Sequence, residues 1–255
     1  MRSLILLSLV LLVPAIAAAD SVKLGTKAPT AGETWNEEKS SNLTMNITVK
    51  GQPPVPMVIS ETERRKVVVL AVKDAVVTKA KITYEKKTKV QKSGANEKGG
   101  ASPLEGKTYT ISAGTPIGVE PAADAEAVRK EEKRFGKPDK LRNAVAGKEY
   151  TKGKVVELKP EDGHDVFGGD NPDFEVGKLT LEYLGMDGKN AKFAIAVQMR
   201  SKKPDQKMSM DFKGTAIVEV PTSELLQMDL TGTVKQDDAS AKVDGTLEMK
   251  GRRWK

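Results

Sequence analysis

Apolar or small residues occupy nearly every second position through three successive passages between residues 208 and 249. They read Met208, Met210, Phe212, Gly214, Ala216, Val218, Val220; then Leu226, Met228, Leu230, Gly232, Val234; then Ala241, Val243, Gly245, Leu247, Met249. A period of two sends alternate side chains to opposite faces of a strand, which restricts this region to antiparallel strands with one dry and one wet face. Turn residues at Lys203-Pro204-Asp205, Pro221-Thr222-Ser223 and Gln236-Asp237-Asp238 separate the passages. Connections this short make sequential strands antiparallel neighbours.

The same alternation appears earlier, after a polar segment from Asp20 to about Thr34 that contains Pro29 and Gly32 and reads as having little structure. Leu43, Met45, Ile47 and Val49 alternate with polar residues, Val55 to Thr62 forms a second strand, and Val67 to Lys73 is a continuous apolar run. Val76, Thr78, Ala80, Ile82 and Tyr84 resume the alternation, and Lys86 to Gly106 turns polar enough for a loop or the tip of a long hairpin. Residues 121–136 read as the one strong helix, begun after Pro121 and closed by Gly136 with Pro138 beyond. Its apolar stripe is thin: Ala125, Val128 and Phe135. Asp139 to Ala146 has room for one or two further turns, and Tyr150 to Lys159 opens the second β region.

The fold expected from this order is mainly β: long antiparallel meanders forming a curved open barrel or sandwich, with one main helix between two β halves. Residues 20–118 make the N-terminal half, 119–147 the helical connector and 148–255 the C-terminal half, packed with 20–118 as one domain.

Ahead of these lies a different segment. Arg2 precedes an apolar run from Leu4 to Val13, followed by Pro14 and Ala17-Ala18-Ala19, the pattern of a secretory signal peptide cut near Ala19. The run is short for a membrane span, and the sequence beyond it offers no transmembrane segment. An exported protein, periplasmic or extracellular, is the expectation. The chain has no cysteine, so neither disulfides nor lipid acylation at a cysteine can hold or anchor it.

Composition bears on function mainly by exclusion. The net charge is +7, but aromatic residues are only 4 %, too few to interleave with lysines as a nucleic-acid surface requires. Nucleic acid is therefore not an expected partner. The charge is unevenly spread: residues 61–98 carry eleven Lys or Arg against five acids, whereas 160–175 carry six acids and no Lys or Arg. The basic stretch suits an acidic partner or surface, or docking of the acidic one. His164, the sole histidine, lies in the acidic stretch, and one histidine gives neither a zinc ligand set nor a plausible catalytic triad. The spacing there does not match a calcium loop, and no glycine-rich phosphate loop or nucleophile elbow occurs. No catalytic residue, metal ligand or cofactor is expected. Asn42-Leu43-Thr44 and Asn46-Ile47-Thr48 match the glycosylation sequon and would matter only in a eukaryotic secretory route.

Gly32-Glu33-Thr34-Trp35, where the first long strand begins, resembles a pattern in uncharacterised, secreted, β-rich bacterial proteins. The resemblance covers about ten residues and implies a glycine-led turn that delivers a tryptophan onto a sheet; it implies no activity.

Candidate ligand contacts come from the methionines. Met199, Met208, Met210, Met228 and Met249 fall on the dry face of the C-terminal meander together with Phe212, Leu230 and Leu247. Methionine offers an adaptable apolar surface, and mid-strand glycines such as Gly214, Gly232 and Gly245 permit a bend or a close approach. Two readings follow. In one, the face accepts a lipid or other apolar ligand with the helix at 121–135 as a lid; in the other, it is all core and the protein is a structural or protein-interaction module of the cell envelope. A methionine-lined cavity of several hundred Å³ separates the first from the second.

Overall fold

A computed structural model describes residues 20–163, 166–167, 174–203, 207–238 and 241–255. The proposed signal peptide, His164, half of the acidic stretch and two residues of the turn at 203–205 lie outside the described residues.

The mainly β fold expected, with its main helix between two β regions, is what the chain forms. The strands are β1 (Ser21–Lys23), β2 (Thr34–Val49), β3 (Val55–Lys73), β4 (Val76–Ser93), β5 (Asn96–Ala101), β6 (Thr108–Ser112), β7 (Gly118–Glu120), β8 (Glu149–Thr151), β9 (Val155–Leu158), β10 (Phe174–Asp187), β11 (Asn190–Ser201), β12 (Met208–Glu219), β13 (Leu225–Asp237) and β14 (Ala241–Trp254). Twelve of them make one open, uncurled antiparallel sheet in the order β7-β6-β4-β3-β2-β14-β13-β12-β11-β10-β9, with β5 paired to β4. The two meanders meet where β14 runs antiparallel to β2 over fourteen residue pairs, from Ala241↔Val49 to Trp254↔Asn36. β1 and β8 form a separate two-stranded sheet.

Several strands exceed what alternation alone suggests. Val55 to Lys73 is one strand because its charged middle is largely matched across the ladder: Glu61 faces Lys89 and Glu63 faces Lys87, while Arg64, which faces Lys86, reaches Glu85 beside it. Lys89 pairs with Glu61, and Lys87 lies 2.5 Å from Glu63. Opposite charges on directly facing residues support a ladder where apolar pairs are missing. The polar stretch after Lys86 is correspondingly a long hairpin, β4 and β5, turning at Gly94 with φ +57°. Two expectations need correction. Tyr150 to Lys159 is not one strand: Gly153, at φ +77°, turns the chain between β8, which pairs with β1, and β9, which pairs with β10. That same pairing gives structure to Ser21–Lys23, in a segment expected to be irregular.

The main helix, α1, is shorter than its sequence pattern, spanning Ala125–Glu131 after a 3₁₀ turn at Ala122–Asp124. It stops where Glu132 turns its carboxylate into the sheet face to meet Arg65 and the Tyr84 hydroxyl. Val128 is fully buried against β4, β6 and β7 in a cluster with Val67, Ile82, Tyr84, Tyr109 and Ile111. A second helix, α2 (Lys140–Val145), covers the other half of the same face, where Leu141 and Val145 pack with Tyr150, Leu181, Tyr183, Phe193 and Ile195. A single turn, α3 (Pro160–Gly163), lies beside it. Asp139 caps α2, its Oδ1 accepting from the Arg142 N–H at 2.9 Å. Asp139→Ala is expected to lower stability by about 1 kcal/mol, read from the urea midpoint.

One face of the sheet therefore carries two packed clusters, one under α1 and one under α2, with the central strands between them.

Candidate functional site

The register of the strands assigns every side chain of the central region to a face. Facing pairs align Met199, Met210, Val234, Gly245, Met45 and Met57 in one row. The next row reads Val197, Phe212, Gly232, Leu247, Leu43, Ile59. Each row crosses six strands, about 24 Å at the usual strand spacing. All lie on the face that bears both helices, called the inner face below.

Among the candidate residues, Met199, Phe212 and Leu230 are buried in the cluster under α2. Met210, Met228, Leu247 and Met249 are half-buried and pack against it, and Met208 is half-buried at the start of β12. The structure therefore brings all eight to one face and leaves five partly accessible. α1 does not cover them; it packs on the N-terminal half. The face also extends further than the C-terminal meander. Leu43, Met45, Ile47, Met57 and Ile59 continue it, half-buried, and belong to neither cluster. Their alternation is visible in the sequence, but only the β2–β14 pairing joins them to the methionines.

The glycines on this face are of two kinds. A Cβ on Gly214 would lie 1.9 Å from the carbonyl oxygen of Asp229, one on Gly232 2.2 Å from that of Asp211, and one on Gly245 2.7 Å from that of Thr44. Glycine at these three positions is what allows adjacent strands to approach so closely. At Gly251, on the same face of β14, a Cβ would meet nothing within 4 Å.

Beside the apolar rows runs an ionic band that the sequence reading missed. Glu37 on β2 is 6 % exposed and lies between two arginines. Arg65 approaches its Oε2 at 2.7 Å through Nη2, and Arg253 donates to its Oε1 at 2.8 Å through Nη2. Trp35 Nε1 donates to the same Oε1 at 2.9 Å, and the Arg253 guanidinium stacks 4.8 Å from the Trp35 ring centre. Arg65 continues to Glu132 at the end of α1, while Arg253 continues to Glu224, which Arg142 of α2 approaches at 3.2 Å. Lys87 completes one end, between Glu63 at 2.5 Å and Glu131 at 2.8 Å. The band thus links α1 to α2 across the centre of the inner face.

Burial pushes the Glu37 carboxyl up, but Arg65, Arg253 and Lys39 outweigh it and hold the group well below the usual carboxylate range. Burial likewise opposes the charge on Arg65, and Glu37, Glu132 and Glu63 overcome it. The Tyr84 phenol is pushed upward by burial and by Glu132, and it stays protonated as the donor to that carboxylate. Lys39 has the opposite balance: the Arg65 charge, with burial, lowers its pKa against the pull of Glu37.

The basic stretch at 61–98 is partly consumed within the fold. Arg64 pairs with Glu85 at 2.9 Å, Lys92 with Glu97 at 3.0 Å, and Arg65, Lys87 and Lys89 are paired as described above.

Two cavities border the sheet. One, of about 50 Å³, lies on the inner face beneath α2, walled by Phe193, Ala216, Met228, Leu225, Leu141 and Val145. The other is a shallow groove of about 450 Å³ between Trp254, Arg252, Gln227, Ile217, Leu226 and Glu38. The larger lacks methionine, and the smaller holds a few methylene groups or waters rather than a whole lipid. Among the described residues no cluster of three His, Asp or Glu side chains is placed to hold a metal ion, and no helix is long and apolar enough to cross a membrane.

No protein-family model matches the chain, and no curated protein matches it. Seven solved chains do. Lipovitellin, in a structure concerned with its lipid–protein interactions, is 7 % identical, with a TM-score of 0.44 over 86 % of this chain and 25 % of that one. Ail, the attachment invasion locus protein of Yersinia pestis, is 6 % identical, with a TM-score of 0.20 over 88 % of this chain and all of that one. At these scores neither likeness bears on function. The chain is a β-rich protein without a family assignment.

Proposed function

We propose that this is a non-enzymatic, exported protein that binds a lipid or another apolar ligand along the inner face of its sheet. The observation that carries this reading is the uncovered strip formed by Leu43, Met45, Ile47, Met57 and Ile59, which continues the Met210 and Leu247 rows without joining either buried cluster. Half-buried apolar side chains aligned across several strands are a surface that a ligand or a partner desolvates. The methionines give that surface side chains that adapt to an irregular chain.

The cavity beneath α2, about 50 Å³, is too small to enclose a lipid, which favours an open manner of binding. A ligand lies in an open trough against one layer of sheet, not inside a barrel. The small size of that cavity also favours the second reading, an envelope interaction module with no small-molecule ligand. One experiment separates them. Protein purified without detergent from its own host is measured by native mass spectrometry, and an adduct released by organic solvent is the expected result. Repeated preparations with no adduct, together with no binding of any lipid added to the purified protein, would overturn the lipid reading. Met45→Glu, placed in the strip, is expected to reduce the bound fraction about tenfold or more, because a carboxylate cannot be desolvated against an acyl chain. The polypeptide mass in the same spectrum tests export: a mature chain beginning at Asp20 is expected.

A further inference from the structure

We propose that the trough takes a long-chain fatty carboxylate, its carboxylate held by Lys39 and its chain laid over Gly251 toward Met228 and the cavity beneath α2. This rests on the lipid-binding reading and adds a ligand class, an orientation and two residues.

The first observation is steric. Glycine inside a strand is unfavourable by about 0.5–1 kcal/mol relative to alanine, and it persists where close backbone approach requires it. That requirement holds at Gly214, Gly232 and Gly245 and fails at Gly251, whose missing side chain borders open space. Gly251 is therefore a gap in the inner face that strand packing does not demand.

The second observation is where the gap leads. The facing pairs through Gly251 read Lys39, Gly251, Met228, Ala216, Phe193 in strand order β2, β14, β13, β12, β11. The last three side chains wall the cavity beneath α2. This row is about 19 Å long at the usual strand spacing. It begins at a cation, crosses an unfilled position, and ends on an apolar cavity wall behind a methionine.

The third observation is the cation. Arg65, Lys87, Arg253 and Arg142 each have a carboxylate oxygen within 3.2 Å. Lys39 reaches Glu37 only at 4.0 Å, and its side chain is 60 % exposed on a face whose two ends are packed. A single loosely held ammonium suits a ligand with one negative charge. Glu37 and Glu63 nearby disfavour a dianion.

The test is calorimetric titration of palmitate into the delipidated protein at pH 8. Wild type is expected to bind. Lys39→Gln is expected to weaken palmitate about tenfold, the loss of one charge-assisted hydrogen bond, while leaving the uncharged alcohol of the same chain length unaffected. Gly251→Leu is expected to weaken both ligands more than tenfold with an unchanged or higher melting temperature, because its Cβ meets no atom within 4 Å and its side chain extends into the space the ligand chain would take. Lys250→Leu, on the opposite face, serves as the control and is expected to bind as wild type does. Palmitate binding by Gly251→Leu equal to wild type would overturn the path, and equal binding by Lys39→Gln would overturn the headgroup site. If binding is lost in Met45→Glu but kept in Gly251→Leu, the sheet face binds lipid elsewhere and this inference fails alone. If wild type binds neither palmitate nor lysophosphatidylglycerol, this inference fails, and the lipid reading fails with it where the protein from its host carries no adduct and binds no other added lipid. Binding lysophosphatidylglycerol as tightly as palmitate would overturn the carboxylate preference.

Discussion

Glu37→Gln is expected to lower stability by about 3 kcal/mol at neutral pH, the lower end of what breaking a buried ion pair costs. The amide keeps the shape of the side chain but removes the charge that Arg65 and Arg253 share. Both guanidiniums are mostly buried, at 15 % and 29 % side-chain exposure, so neither recovers full hydration. Arg65 retains Glu132 and Glu63, and Arg253 retains Glu224, which is why the loss stays at the lower end. Lys92→Ala, breaking a pair in which both partners are 58 % exposed, is the contrast and should change stability by under about 0.5 kcal/mol.

The pH dependence has a definite sign. Glu37 titrates well below its usual value in the folded protein. A carboxylate of this kind contributes its stabilisation above the unfolded pKa, about 4.3, and loses it as pH falls through the lower folded pKa. The difference between wild type and Glu37→Gln is therefore expected to be constant from about pH 8 to about pH 5 and to shrink below about pH 4. Urea melts across that range measure it. A difference that grows on acidification would contradict the band described here.

The second large effect is expected at Gly214. A Cβ there lies 1.9 Å from the Asp229 oxygen and 2.9 Å from both the Asp229 carbonyl carbon and the Leu230 Cα. All three are backbone atoms of β13, so no side chain can move aside and β12 must separate from β13. Gly214→Ala is expected to cost about 3 kcal/mol, the upper part of the overpacking range, and to speed amide exchange across the β12–β13 ladder. Gly251→Ala should instead be neutral or stabilising by up to about 1 kcal/mol. Equal effects at the two positions would show that the distinction between required and unrequired glycines is wrong.

Strand positions and their dry faces were legible because alternation is a local property. Met208 to Val218 and Met228 to Val234 keep in the structure the parity they show in the chain, whereas an irregularity opposite Ile217 and Val218 puts Leu225 rather than Leu226 against the cluster under α2. Charge obscured other strands: Glu63 to Lys66 falls between the strands that alternation marks, and Lys86 to Lys92 looks like loop, until Glu61, Glu63 and Arg64 find Lys89, Lys87 and Glu85 across the ladder. The main helix was placed correctly but ended early, because Glu132 leaves its axis for Arg65 and Tyr84.

The candidate site was legible only in part. Met199 through Met249 could be assigned to one face because they share a meander, whereas Leu43, Met45, Met57 and Ile59 joined that face only through the β14–β2 ladder. Nothing in the chain near Lys39 or Gly251 marks either residue, since what distinguishes them is an empty space and a missing close partner. Local periodicity fixes which side chains share a strand face, because a strand repeats every two residues wherever it lies. Which strands become neighbours across two hundred residues, whether a glycine is crowded or bare, and which cation lacks a close carboxylate depend on long-range register, and those were decided by the tertiary structure alone.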